Sequence, residues 1–409
     1  LPDRIPPLAI TAYTATCAAG RGTGALAQAL AKRGSGLSEN TFSSQPLQCW
    51  IGRVGGLEDT TLPASMQHWD SRNHRLAWLG LGQDGFLERV AAVRERYGAA
   101  RVALVLGTST SSIGETERAY REVDAAGQFS TDQRASLVHH PHSLGAFVQQ
   151  ALELRGPCLT LATACSSSAK VFASADRWLR SGLVDAVVVG GVDTLCDSVL
   201  FGFNALGLVS PDRCQPFDID RHGLSLGEAA GFAILERSAQ SGNRENEALY
   251  KTVPRLIGYG ESSDAHHMSS PHPQGLGAQQ ALDDALARAG ITADAVDYIN
   301  LHGTASRQND EVEAAMIARR FSARTRASST KGWSGHTLGA AGILEAVFSL
   351  IALERGLIPG TLNSHHLDPV CGPQITLDNE ERELRIALSN SFGFGGNNCC
   401  LAFAHARAA

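Results

Sequence analysis

The sequence is short of several things, and each shortage excludes a class of protein. No run approaches the about 18 consecutive apolar residues that a membrane-spanning helix needs. The opening stretch, LPDRIPPLAITAYTATCAAG, lacks the charged-then-apolar order of a secretory leader, so the expected location is the cytoplasm. Lys and Arg form no long run and the formal net charge is −6, so neither nucleic acid nor an anionic membrane is expected as the main partner. No CxxC pair occurs among nine irregularly spaced cysteines, which suggests neither a disulfide framework nor a zinc site. The histidine pairs His139–His140, His266–His267 and His365–His366 lack metal-ligand spacing with nearby carboxylates. Low-complexity tracts and short-period repeats are missing as well.

What remains is a chain of 409 residues, 43% of them hydrophobic, long enough for two or three domain-sized units. Short Val/Ile/Leu-rich runs alternate with Ala-rich periodic segments, which predicts a layered α/β protein. The predicted strands are RVALVLG, CLTLATA, DAVVVGG and AAGFAILER, then TVPRLIGYG, VDYINLHG, ELRIALSNS and NCCLAFAHA. Several are apolar on both faces, as central strands covered by helices on either side would be. Helices are predicted over 166–181, 276–289, 309–320 and 338–355. The last of these, LGAAGILEAVFSLIALERG, is apolar almost all round and should be buried. The most polar stretch of the middle, AQSGNRENEALYK (239–251), marks a candidate boundary between halves 1–245 and 246–409. The order of elements is alike on both sides of it, as a duplication would make it.

Four stretches could carry chemistry. In LTLATACSSSAK, Cys165 sits where a strand ends and a helix opens, so its sulfur would meet unpaired backbone N–H groups that favour a thiolate; a buried structural cysteine is the alternative. In YINLHGTASRQNDEVEAA, His302 lies at a strand end beside Gly303, placed to meet a ligand in a crevice at the edge of a sheet, or else structural. In SSTKGWSGHTLGAAGILEA, Lys331 and His336 are surrounded by glycines that leave the backbone sterically open, or the stretch is a plain helix entry with a solvated lysine. In SNSFGFGGNNCC, alternating Gly and Phe could present N–H groups to an oxyanion and let a phenylalanine swing as a gate, or form an ordinary hairpin. Cys399 and Cys400 follow in a strand where they must point to opposite faces.

Together these four stretches, with PFDIDRHGLSLGEAAG (216–231) and SSDAHHMSSPHPQG (262–275), resemble the β-ketoacyl-acyl carrier protein synthases over nearly the whole chain. The resemblance implies the thiolase fold: two similar halves forming a layered α-β-α-β-α arrangement, usually as a homodimer, with a heterodimer with a related subunit as the other option. It implies a Cys-His-His site with Cys165 as nucleophile, His302 and His336 as the two histidines, and Lys331 accompanying them. Glu313 matches the family's acidic residue and would pair with Lys331 to position His302. The backbone N–H groups of Cys165 and Phe394 would form the oxyanion hole, Thr304 and Ser306 would hold the phosphopantetheine arm, and Phe392 and Phe394 would gate the site. Phe203 would line the acyl pocket. No metal, flavin or nicotinamide is implied; the partners are acyl and malonyl forms of acyl carrier protein.

The chemistry so implied is acyl transfer to Cys165 followed by decarboxylative Claisen condensation, in fatty acid or polyketide synthesis. The sequence departs from the family pattern in places. HGTGT or HGTST reads HGTAS, His222 replaces the aspartate of FDxxRDG, GEGAG reads GEAAG and GGTN reads GGNN. The opening segment and GTSTSSIGETERAY (107–120) resemble condensing enzymes of pigment or aryl-polyene pathways. A chain-length-factor subunit shares the fold but lacks the cysteine. A thiolase would need a final Cys-x-Gly context that is absent here, and a silent carrier-binding scaffold would have no use for the intact site.

Overall fold

The computed structural model describes residues 2–237 and 251–407. The boundary expected at 245 lies outside the described residues. Ten strands make the main sheet: β1 (Leu8–Cys17), β2 (Val102–Gly107), β3 (Cys158–Leu161), β4 (Ala186–Asp193) and β5 (Ala229–Arg237), then β6 (Arg255–Ser263), β7 (Tyr298–Asn300), β8 (Arg326–Ser328), β9 (Ile386–Gly393) and β10 (Asn397–Ala404). Their spatial order is β8-β7-β9-β10-β6-β1-β5-β4-β2-β3, and a two-residue strand, Gly20–Arg21, adds to β1.

Reading outward from the β1–β6 junction, each half repeats one order: first, fifth, fourth, second, third strand. The directions repeat too. In both halves the fifth strand runs antiparallel to the first and the fourth, and the outer three are parallel. Within the sheet the halves join through two registered pairs, Leu8↔Leu256 and Ala9↔Arg255. The similar halves expected from element order are therefore visible in the hydrogen bonding.

Alternation along the strands explains the layers. In β2, Val102, Leu104 and Leu106 face an outer helical layer, while Ala103 and Val105 face inward. The inward faces of both halves close on two helices, α1 (Ser167–Arg180) and, in the second half, Ala341–Arg355. Outer helices cover the far sides: 72–81, 86–97 and 143–151 on the first half, Leu276–Ala289 and Arg307–Arg320 on the second. The result is the expected five-layer arrangement. Cys399 and Cys400 fall in different layers, facing the inner and the outer helices respectively.

Numbered in chain order, the remaining helices used below are α2 (Asp197–Ala205), α3 (Leu276–Ala289), α4 (Arg307–Arg320) and α5 (Ala341–Arg355). The buried helix predicted over 338–355 starts as a single 3-10 turn, Leu338–Ala340, before α5 proper. α1 and α5 occupy equivalent places in the two halves and pack on each other. Gly342 allows this, because a Cβ there would lie 2.4 Å from the backbone nitrogen of Ala169. Ser168 Oγ accepts a hydrogen bond from the Ile343 N–H at 2.9 Å, satisfying one of the free donors at the start of α5.

Candidate active site

The functional side chains gather where strands of both halves end. Cys165 follows β3, His302 follows β7, Lys331 and His336 follow β8, and Phe392 and Phe394 stand at the turn from β9 to β10. Sheet ends are where backbone direction changes and side chains can converge, as in other α/β proteins. Ala164 takes a left-handed backbone, φ 53°, which turns the chain sharply between β3 and α1 and presents Cys165.

Cys165 is 5% exposed and its sulfur lies 3.0 Å from His336 Nε2; which of the two groups donates depends on the imidazole tautomer. The backbone N–H of Phe394 also faces it. The rings of His302 and His336 stand edge to face, centroids 5.4 Å apart, and Nδ1 of each is buried without a hydrogen-bond partner. Burial and the charge of Lys331 hold both imidazoles well below the usual histidine range, so both are neutral at pH 7.

The thiolate expected at rest gives way to a thiol. Burial pushes the Cys165 thiol up to about 11, although Lys331 and the Phe394 N–H pull the other way. A helix N-terminus is worth about 0.3–1 kcal/mol to a neighbouring anion, less than a tenfold change in ionisation. Removal of the sulfur from water outweighs it. Sulfur ionised only at high pH gains thiolate about tenfold per pH unit below that point, so iodoacetamide alkylation of Cys165, followed by peptide mapping, should accelerate about tenfold per unit from pH 7 to 9. A plateau beginning near pH 7 would show a thiolate already present.

Lys331 does not pair with Glu313. Its ammonium bonds the Glu345 carboxylate and the carbonyl of His302. Glu313 instead accepts the backbone N–H groups of His302 at 2.9 Å and Gly303 at 2.8 Å, and Asn390 Nδ2 at 3.1 Å. It still positions His302, through the main chain rather than through an ion pair. Burial raises the carboxyls of both Glu313 and Glu345 to about 7. Glu345 was legible in principle, since it is the one charged residue in the apolar run 338–353 and such residues are rarely buried without a partner.

The glycines around Lys331 and His336 are tightly enclosed rather than open. Gly335 adopts φ 69°, and a Cβ on it would fall 2.9 Å from the Leu226 carbonyl; one on Gly339 would fall 2.5 Å from Ser109 N. They let the segment fold against its neighbours. Asp193, unremarked in the sequence, clamps that neighbourhood: its carboxylate accepts Thr108 Oγ1 at 2.7 Å, Ser109 N at 2.7 Å, Thr110 N at 3.1 Å and Gly339 N at 2.7 Å. The loop after β2 is thereby tied to the one after β8.

A cavity of about 310 Å³ opens onto Cys165, His302 and His336. Thr304 and Ser306 line one wall, their hydroxyls 2.9 Å apart, and Phe203 from α2, Phe392 and Phe394 line others. Phe203 stacks on Phe394 with centroids 5.6 Å apart and meets His336 edge-on, while Phe392 leans against His302. All the residues singled out from the sequence therefore border one space or, like Lys331 and Glu313, bond its walls. Arg221, from FDIDRHG, is buried and ion-paired with Asp368 at 2.8 Å, and it donates to the Arg307 carbonyl, fixing the start of α4 beside Thr304 and Ser306.

Residues 76–241 match the family model for the beta-ketoacyl synthase N-terminal domain, and 254–365 that for its C-terminal domain. Nodulation protein E of Rhizobium meliloti is 35% identical over 310 residues, covering 75% of this chain and 76% of that one. The chain belongs to the β-ketoacyl synthase family. This synthase is also 40% identical to 3-oxoacyl-[acyl-carrier-protein] synthase 2 of Rhizobium meliloti over 263 residues, 61% of each. Among solved structures, the complex of the ketosynthase ApeO with its chain length factor ApeC from Xenorhabdus doucetiae matches with TM-score 0.85 and 35% identity over 98% of both chains. The ishigamide ketosynthase/chain length factor matches with TM-score 0.86 and 25% identity over 98% of the synthase and 99% of that chain. The synthase is a condensing acyltransferase of thiolase fold.

Proposed function

We propose that the synthase takes an acyl group from an acyl carrier protein onto Cys165 and extends it with malonyl-carrier protein. The observation that carries the residue roles is the convergence of one thiol, two neutral imidazoles and a backbone N–H on a single enclosed cavity. In the first stage Cys165 Sγ bonds the thioester carbon, the bond to the carrier sulfur breaks, and the departing carrier sulfur takes the proton that Cys165 gives up. In the second, the malonyl carbon–carboxylate bond breaks, carbon dioxide leaves and the electron pair becomes an enolate. His302 and His336 donate to its oxygen, which neutral imidazoles can do.

The enolate carbon then bonds the acyl carbon, the Sγ–C bond breaks with its electron pair going to Cys165 Sγ, and the sulfur takes a proton from water. The N–H groups of Cys165 and Phe394 hold the oxyanion between those events. Thr304 and Ser306 grip the pantetheine arm, and Phe203, Phe392 and Phe394 border the acyl chain and gate it. Lys331, tied to Glu345, holds the His302 carbonyl, and its charge adds to burial in keeping both rings neutral. No step calls for a metal or redox cofactor.

The pathway we favour builds polyketide or aryl-polyene chains in the cytoplasm, and similarity to ketosynthases solved with chain length factors supports it. The same likeness supports a dimer, with a second copy or a related subunit. β3, which ends at Leu161 directly before the exposed-to-buried passage Ala162–Cys165, forms one edge of the sheet and pairs only with β2 among the described residues. Light scattering should give two subunits; a single-chain mass at working concentration would remove the partner.

The experiment for the reaction is intact-protein mass spectrometry after mixing with acyl-carrier proteins, then malonyl-carrier protein. A Cys165 adduct that disappears as a two-carbon-longer 3-oxoacyl carrier forms is the expected outcome. Failure to load from every carrier would sink the reading.

A further inference from the structure

Helix α2 carries Phe203 into the catalytic cavity, yet little of the helix is rooted in the core. Of its nine residues only Val199 and Leu200 are buried, and its N-cap, Cys196, makes no side-chain capping bond. The free N–H groups of its first turn therefore need an acceptor from elsewhere. Glu117 supplies it: one carboxylate oxygen accepts Ser198 N at 2.6 Å and the other accepts Asp197 N at 3.2 Å. A carboxylate at that end also meets the favourable pole of the helix dipole.

Glu117 belongs to the helix Ile113–Arg121, which begins within GTSTSSIGETERAY (107–120). Ile113, Glu117 and Arg121 are spaced four apart and share one face of it. Along that face Arg121 ion-pairs with Asp197 at 2.5 Å, and Ile113 packs against the apolar cluster of Cys196, Leu200 and Leu338 on which Phe203 also rests. The foot of this helix is itself held. Asp193 clamps Thr108, Ser109 and Thr110, and the hydroxyls of Ser111 and Ser112 meet those of Ser143 at 3.1 Å and Ser71 at 3.0 Å. An anchored helix thus grips the start of α2, while the far end of α2 presents Phe203 to Phe394 and His336.

We infer that Glu117 is a positioning residue that determines specificity: by capping α2 it fixes Phe203 as the wall that sets how long an acyl group the cavity takes. The inference rests on the proposed function, because it concerns the acyl group that Cys165 receives. Phe203 packs against the cluster of Leu200 and Leu338, with Ile113 and Leu208 beside it, so a longer chain extends that way only if the ring gives ground. Without its cap α2 shifts and the ring recedes. The reacting groups stay where they are, since the spacing of Cys165 and His336 is kept by α1 and α5, whereas Glu117 bonds α2. One methylene in an apolar pocket is worth about 10–200-fold in selection, so a small movement of this wall changes preference more than rate.

The test compares Glu117→Ala and Glu117→Gln with the unsubstituted chain, loading Cys165 from a series of saturated acyl-carrier proteins that lengthens in two-carbon steps. The readout is the ratio of kcat/KM for the longest acyl group the parent accepts well to that for the next longer one. In Glu117→Ala this ratio should fall about tenfold, while acetyl loading stays within about twofold of the parent. Glutamine keeps one acceptor oxygen, so Glu117→Gln should lie between the two; it carries the test alone if the alanine variant does not fold. A purely structural role for Glu117 lowers the active fraction and scales every chain length alike. Uniform loss across the series therefore overturns the inference, as does an unchanged ratio in the folded variants or a parent without any length cut-off. If the unsubstituted protein loads no acyl group of any length, the proposed function itself fails, and that is known before a variant is made.

Discussion

Alanine in place of Cys165 leaves a folded protein that holds no acyl group: its mass after incubation with acyl-carrier protein stays that of the free chain, and condensation falls by about 10³-fold or more. The substitution removes one sulfur from a buried position, a loss costing about 1 kcal/mol or a little above it, so the fold survives. The left-handed turn at Ala164 and the serine hydrogen bonds around it do not involve the sulfur. Eight other cysteines remain, which makes the result decisive. Cys17, Cys158, Cys196, Cys214, Cys371 and Cys400 are all driven to high pKa by burial, and none of the eight borders the cavity. An adduct of undiminished yield on the variant would mean that the nucleophile lies elsewhere.

His302→Ala should separate the two stages. Loading continues, because the sulfur's near imidazole is His336, while decarboxylative condensation falls by about 10²–10³-fold, the range for losing one donor to a developing oxyanion. The scaffold tolerates the change for a particular reason. Glu313 and Lys331 bond the main chain of residue 302, its N–H and its carbonyl, and neither bonds the ring. Truncating the ring therefore leaves no buried charge unpaired. His336→Ala should lose condensation to a similar degree and also slow loading, since its Nε2 touches the sulfur. Single-turnover mass spectrometry distinguishes the two variants. A His302 variant that condenses within threefold of the parent rate would take that residue out of the reaction.

Much of this was legible in the residues. Eight of the ten strands show as β-rich apolar runs, whereas β1, whose Thr and Tyr side chains break the apolar pattern, and the three-residue β8 were not foreseen; α1, α3 and α4 were placed within a few residues of their ends. Helices 72–81, 86–97 and 143–151 were not foreseen. Their buried faces are narrow, three to six residues each, set among polar neighbours, so their periodicity is weak. α2 hides in a short stretch whose hydrophobic residues face the cavity mouth as much as the core. At the site, motif order identified Cys165, His302 and His336, yet the partner of Lys331 could not be read from spacing. Glu345 is nearer than Glu313 only because α5 packs beneath the strand ends. Likewise the ionisation of Cys165 depends on how completely the other half of the chain covers it, which no local pattern reports.

The repeated strand order has one more consequence. Cys165 belongs to the first half and His336 to the second, at matching stations beyond β3 and β8, and the two approach because α1 and α5 interlock at Gly342, Ala169, Ser168 and Ile343. The 3.0 Å between sulfur and imidazole is thus a spacing across the molecule's internal twofold axis, kept by helix-to-helix packing rather than by any flexible loop. Neither half on its own contains a working nucleophile and its imidazole, and heat should extinguish acyl transfer only when the two halves come apart.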